Sequence, residues 1–182
     1  MEVDSKAIIL KYYEPRSELF NSLWVHSLCV MHKALSVAEE SGVVIDLDFV
    51  KEGAMLHDIG IFKCHAPSIF CLGDLPYICH GVCGREILEK EGLFKHALVC
   101  ERHTGSGLSK ENIINGKLPL PRRDMLPETL EEKLICYADK FFSKSGNISE
   151  EKSIETVIAS MQKHGDDVLR RFRDLHEIFK KR

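Results

Sequence analysis

The chain has 182 residues, 44% of them hydrophobic and 29% charged, enough to bury a substantial core and within the ordinary size of one domain. Its 25 basic and 28 acidic residues leave a net charge of −3 and are interspersed along the chain, which excludes the basic footprint of a protein that binds long nucleic acids. Cys29, Cys64, Cys71, Cys79, Cys83, Cys100 and Cys136 are scattered without the paired spacing of a zinc site and read as small core residues in a reducing compartment. The first eight residues carry three charges and no apolar run, and no stretch reaches the length that crosses a bilayer. The expected location is the cytoplasm, with no membrane partner.

Apolar residues recur at helical spacing, and alternating β-branched runs are scarce, so the expected fold class is all-α. A first long helix is expected to begin near Pro15, carry Leu19, Leu23, His26 and Val30, and stop by Gly42. A second starts at a cap between Asp46 and Asp48 and runs through Ala54, Met55 and Leu56, with His57 and Asp58 in its last turn. Residues 62–80 contain Pro67, Gly73 and Pro76 and read as a long loop, expected to lie over a site formed by the helices. Helices follow over 82–91 and 93–103, with a short one over 109–115. The proline-bearing stretch 118–127 is a connector. Thr129 stands three residues before Glu132, a capping-box spacing that opens a helix running through Ala138, Asp139 and Phe142. Two charged amphipathic segments, 149–164 and 166–181, complete the bundle, and Gly165 separates them. The expected domain is a single one over 1–182, its core motif region at 24–142 and its C-terminal helices at 149–181.

The chemistry concentrates in His57-Asp58-Ile59-Gly60, with His26 upstream and Asp139 downstream. Each of these side chains stands in an apolar stretch: Asp58 after Ala54-Met55-Leu56, Asp139 after Leu134 to Ala138, and His26 among Trp24, Val25 and Leu28. A buried carboxylate is costly unless something pairs with it. A satisfied core polar residue explains any one of them, but a metal explains all of them together. Imidazoles and carboxylates are the donors that divalent first-row ions take, and such a site leaves positions open for water and a phosphate oxygen.

These residues resemble the HD superfamily of metal-dependent phosphohydrolases, whose signature is His, then His-Asp, then Asp on successive helices. The resemblance covers roughly Trp24 to Phe142 and implies an HD-domain helical bundle with His26, His57, Asp58 and Asp139 as metal ligands. The chain is also similar to members with two further histidines, which here fall on His80 and His103. That order implies a dinuclear centre: Asp58 bridges, His26, His57 and Asp139 complete one ion, and His80 and His103 hold the other. The run from His80 to Asp139 is similar to a small group of HDIG-domain proteins. Two departures stand out: many HDIG proteins have a basic residue after the glycine where this chain has Ile61, and the loop from Gly60 to His80 is long and carries His65.

The resemblance implies hydrolysis of a phosphoester or phosphoanhydride in a small nucleotide-like substrate, with hydroxide held by the ions attacking phosphorus. One or two divalent ions are expected, of iron, manganese, cobalt, nickel or zinc, and selection among them depends on supply and geometry. Arg85, Arg102 and Lys140 stand close in sequence to ligands and are the candidates for neutralising phosphate charge, against the alternative of plain salt bridges. His32, His65, His96, His164 and His176 fall outside the pattern and are expected at the surface. Two other functions share the same residues: a di-iron oxygenase of HD type, and a non-catalytic nucleotide-binding module with a structural metal. A homodimer remains open.

Overall fold

In the computed structural model, which describes residues 3–181, nine helices are formed among the described residues: α1 Ser5–Ile9, α2 Glu18–Ser41, α3 Leu47–Leu56, α4 His80–Lys90, α5 Phe94–Arg102, α6 Lys110–Asn115, α7 Leu130–Asp139, α8 Ile154–Gln162 and α9 Asp166–Phe179. Their starts follow side-chain chemistry. Ser17, Asp46, Ser109, Thr129 and Ser153 each accept a hydrogen bond from a backbone N–H of the first turn, satisfying donors that have no partner within the helix. Pro15 therefore precedes the start of α2 instead of opening it, because Ser17 supplies the cap. Gly42 ends α2 in the left-handed conformation, at φ 68°, a conformation that glycine adopts without steric cost. At the start of α7, Thr129 accepts from the Glu132 N–H as its spacing predicts, but the Glu132 carboxylate bonds to the Glu128 N–H and not to Thr129.

The all-α expectation needs correction in the segment read as a loop. Three short strands, β1 Cys64–Ala66, β2 Cys71–Leu72 and β3 Leu75–Pro76, form a small mixed sheet in the order β2-β1-β3, with β1 antiparallel to β2 and parallel to β3. Strands of two or three residues carry no readable alternation, so their pairing rests on the turns between them. The expectation also missed α1, and it carried α3 and α7 too far. Helix α3 ends at Leu56, leaving His57 and Asp58 in the following turn, and α7 ends at Asp139.

Two of the three apolar cores among the described residues flank this arrangement. One joins α2, α3, α7, α8 and α9, where Tyr137 stacks on Phe172 with ring centres 5.6 Å apart. The other joins α1, the start of α2, residues 56–71 and α4, and is tied by the Tyr13 hydroxyl, which donates to the Ile59 carbonyl at 2.8 Å. His26 stands between Leu23 of the second core and Val30 of the first, and His57 follows Leu56 of the second, so the polar donors lie where the two cores meet. No helix among the described residues is long and apolar enough to cross a membrane.

Candidate metal centre

His26 arises from the buried stripe of α2, whose buried positions Leu23, His26, Val30, Ala34 and Val37 repeat at helical spacing. His57 and Asp58 occupy the turn after α3. That turn approaches α4 so closely that a Cβ on Gly60 would lie 2.3 Å from both the Gly84 nitrogen and the His80 carbonyl oxygen. The glycine of the tetrapeptide is thus a packing requirement. Gly81 does the same between α4 and α5, where a Cβ would lie 2.5 Å from the Cys100 carbonyl oxygen. His80 begins α4, His103 follows α5 and Asp139 ends α7.

The six side chains meet. Ligand atoms of His26, His57, Asp58 and Asp139 lie within 4.8 Å of one another, as do those of Asp58, His80 and His103, so Asp58 belongs to both groups. One carboxylate oxygen of Asp58 faces His57 Nε2 at 3.1 Å and His26 Nε2 at 3.4 Å, while the other faces His103 and His80 Nε2 at 3.4 and 3.5 Å. His26 Nε2 is 2.9 Å from Asp139 Oδ1. His26, His57 and Asp58 have no exposed surface, and the other three are at most 6% exposed.

Three of the imidazoles are fastened in one way. Nδ1 of His57, His80 and His103 donates to the carbonyl three residues earlier, of Ala54, Tyr77 and Cys100, at 2.7, 2.7 and 2.8 Å. Placing the proton on Nδ1 leaves Nε2 as a lone pair aimed into the cluster, the tautomer that binds metal. His80 and His103 then point their Nε2 atoms at each other across 3.1 Å, a contact between two lone pairs that a shared cation relieves.

Electrostatics follow from burial and from the neighbours. Burial opposes ionisation of Asp58, but His57 and Lys144 outweigh it and hold the carboxyl well below the usual range; at Asp139, Lys140 and Lys144 do the same. Burial lowers His26 to about 4 and His80 to about 3, and lowers His103, keeping these rings neutral. Burial also opposes protonation of His57, but the charges of Asp58 and Asp139 raise it to about 9, so without an ion its Nε2 carries a proton at neutral pH, which a bound ion would displace to free the lone pair.

The donor set tests well against a metal. Both oxygens of Asp58 and Nε2 of His57 are buried without a hydrogen bond of acceptable geometry, as is the second nitrogen of His26. Buried polar atoms normally find partners. The Asp58 oxygens and His57 Nε2 converge on common points instead, as ligands do, whereas the unpartnered Nδ1 of His26 is the ring nitrogen opposite the Nε2 that faces Asp58 and Asp139.

The structure separates the three basic candidates. Lys140 donates to Asp139 Oδ2 at 2.6 Å and to the His103 carbonyl at 3.0 Å. Arg85 and Arg102 are not brought to the cluster: Arg85 bonds to Glu89 and Glu101, and Arg102 to Glu128 and Glu132. Neighbouring helical positions diverge by about 100°, which carries the guanidinium of Arg102 away from the side on which His103 lies. Two side chains went unnoticed in the sequence. Lys144 Nζ is 2.7 Å from Asp58 Oδ2, and Tyr77 stacks on His80 with ring centres 4.7 Å apart, its hydroxyl buried without a hydrogen bond. Neither has a local signal: Lys144 stands past the helix end in a polar stretch, and Tyr77 in the segment read as a loop. Of the remaining histidines, His32, His65 and His164 are exposed as expected, whereas His96 is buried 3.0 Å from Glu52 and His176 accepts from or donates to the Tyr137 hydroxyl at 2.9 Å.

The cluster opens into a cavity of about 600 Å³, within the range of small-molecule sites. His80, His103, Asp139, Lys140 and Lys144 form its inner end. Tyr77 and Ile78 bring the end of residues 62–80 to its wall, the part of the covering segment that reaches the site.

A helical scaffold that gathers His, His-Asp, His, His and Asp at one buried point defines a metal-site protein of the HD type. The profile of the HD domain family matches residues 23–143, and the chain belongs to that family. It is similar to an uncharacterized protein of Methanocaldococcus jannaschii, 37% identical over 142 residues that cover 76% of this chain and 74% of that protein. It is also similar to proteins named tRNA (cytidine(56)-2'-O)-methyltransferase from Thermoplasma volcanium, at 29% identity, and Picrophilus torridus, at 34%. The matches take in 84% and 72% of this chain but only 40% and 34% of those longer proteins. Among solved structures, that of the L. monocytogenes phosphodiesterase PgpH HD domain matches with a TM-score of 0.53 at 18% identity, covering 94% of each chain, a likeness of fold.

Proposed function

We propose that this chain is a metal-dependent phosphohydrolase that cleaves a phosphoester or phosphoanhydride of a small, nucleotide-like substrate. The observation that carries the reading is Asp58, a fully buried carboxylate shared between two groups of donors and lacking hydrogen bonds of its own. His26, His57, Asp58 and Asp139 would hold one divalent ion, and His80 and His103 with Asp58 a second. Such a pair of ions acidifies water and polarises a phosphoryl oxygen.

The chain's own residues supply the rest. Lys140 and Lys144, both at the inner end of the cavity, replace Arg85 and Arg102 as the cations that offset phosphoryl charge. Lys140 spends two donors on Asp139 and the His103 carbonyl and keeps a third for substrate. In the overall reaction the oxygen of water bonds to phosphorus, the P–O bond to the leaving group breaks, and a proton ends on the leaving oxygen. The methyl transfer named for the two tRNA methyltransferases belongs to proteins of which this segment is the smaller part and is not carried over.

The test is to strip the full chain of metal, reload it anaerobically with manganese, iron, cobalt, nickel or zinc, and assay mononucleotides, dinucleoside polyphosphates and cyclic nucleotides. Metal-dependent hydrolysis of at least one phosphoester is expected, abolished by chelation. Oxygen consumption without phosphoester cleavage would establish the di-iron oxygenase instead. Nucleotide binding without turnover under any metal would leave a binding module.

A further inference from the structure

Resting on the phosphohydrolase reading, we propose that the cavity takes a phosphate monoester: one terminal phosphoryl group on an uncharged, largely apolar body. Three observations carry this substrate class.

The first is that the metal end is closed. His26, His57 and Asp58 have no exposed surface, and their chain neighbours Leu23, Val30, Leu56 and Ile59 belong to two of the apolar cores. A phosphoryl group at the cluster is reached from the cavity side alone, so both arms of a diester would have to crowd into that one space.

The second is the distribution of charge. Among the described residues that line the cavity, the ammonium groups are Lys140 and Lys144, both at the metal end, and each is already close to a carboxylate of the cluster. The rest of the wall is largely apolar: Ile78, Leu108, Leu118, Met161 and Val168, with Tyr77 stacked on His80 at the metal end. A second or third phosphate in line with the first would lie against these apolar side chains, and an anion without a partner is costly to desolvate. The imidazole of His164, on the exposed side, is the remaining group there that can carry positive charge.

The third is what the walls offer to the body. The Asn112 amide faces the cavity but is consumed by the fold, its oxygen accepting from Ser109 N and Arg171 and its nitrogen donating to Asp167. The free polar groups are few and lie at exposed or half-buried positions, Asn115 and Thr104. A ring with one or two hydrogen-bonding groups beside it matches this surface, while a polyol that has no ring leaves its hydroxyls against apolar walls. The Tyr77 hydroxyl lies where phosphoryl and body meet.

The experiment compares kcat/KM of the metal-loaded full chain for AMP, p-nitrophenyl phosphate, glycerol 3-phosphate, ATP, diadenosine tetraphosphate and bis(p-nitrophenyl) phosphate. AMP and p-nitrophenyl phosphate should exceed the other four by about tenfold or more. A readout without turnover is calorimetric binding of phosphonate analogues, in which that of AMP should bind about tenfold more tightly than β,γ-methylene ATP. Leu118→Lys, or Leu108→Lys should the first fail to fold, puts a cation on the apolar wall and should raise the ATP-to-AMP ratio about tenfold. Preference for a polyphosphate, a diester or glycerol 3-phosphate would overturn the substrate class while leaving the phosphohydrolase standing, as would an unchanged ratio in the lysine variant. Failure to hydrolyse any of the six with any metal, and in the wider nucleotide assay, would remove the phosphohydrolase itself and this proposal with it.

Discussion

Four carboxylates are buried among the described residues, and they divide into two pairs. Glu101 and Glu132 are 3% and 4% exposed, and Asp58 and Asp139 are 0% and 6% exposed. Glu101 is gripped by Arg85 and Arg123, and Glu132 by Arg102 and the Glu128 N–H. Their oxygens are answered by planar, fully charged donors in good geometry, the arrangement that lets an ion pair survive burial. Asp58 instead faces four imidazole nitrogens and one lysine, with no proper hydrogen bond to either oxygen, and Asp139, though held by Lys140, faces two of the same imidazoles. The contrast separates a buried charge that ties helices together from one kept available for a ligand. It also explains why Arg85 and Arg102 are poor choices for phosphate: their charge is already committed.

The largest expected effect comes from breaking the available pair. Asp58→Ala should lose both metal-binding groups at once and lower phosphoester turnover by about a thousandfold or more, the scale on which loss of an essential electrostatic group is felt. Metal analysis of the purified variant checks the cause, since it should hold far less than the parent chain. A variant that keeps its metal and its activity would erase the distinction between the two pairs.

Breaking the committed pair should act on the fold instead. Arg102→Ala leaves Glu132 buried with a backbone N–H as its remaining partner and should cost about 3 kcal/mol, the low end for breaking a buried pair. In a chain of this length that lowers Tm by roughly 6–12 °C. Turnover per folded molecule and metal content should stay near parental values; a fall in kcat without a fall in Tm would return Arg102 to the site. A smaller effect sharpens the comparison within one helix, because α7 carries both Glu132 and Asp139. Thr129→Ala removes its N-cap and should cost about 1 kcal/mol, read by denaturant unfolding. Metal stoichiometry should not change, since Asp139 lies at the other end of the helix.

The two pairs could not have been told apart by sequence. Glu101 and Asp139 both stand at the ends of apolar helical runs, and Arg102 is as near to a candidate ligand in sequence as Lys140, one residue away, while Arg85 lies five residues from His80. What was legible was local: the caps at Asp46 and Thr129, the stop at Gly42, and the spacing that sets His26 on the buried stripe of α2. The fold class was readable to the same extent, because helical periodicity extends over many residues. The small sheet at 64–76 was not, since strands of two or three residues leave no pattern.

By itself, then, the sequence determined the helical scaffold, the family and the order of the six donors, because periodicity, caps and residue type are written along the chain. Only the tertiary structure decided which charges meet. It brought Lys144 to Asp58 and Tyr77 to His80, gave Arg85 and Arg102 to glutamates, and lined the outer cavity with apolar side chains. Those outcomes depend on where helix faces point and how closely backbones approach, as at Gly60, and such geometry is fixed by contacts between residues far apart in sequence.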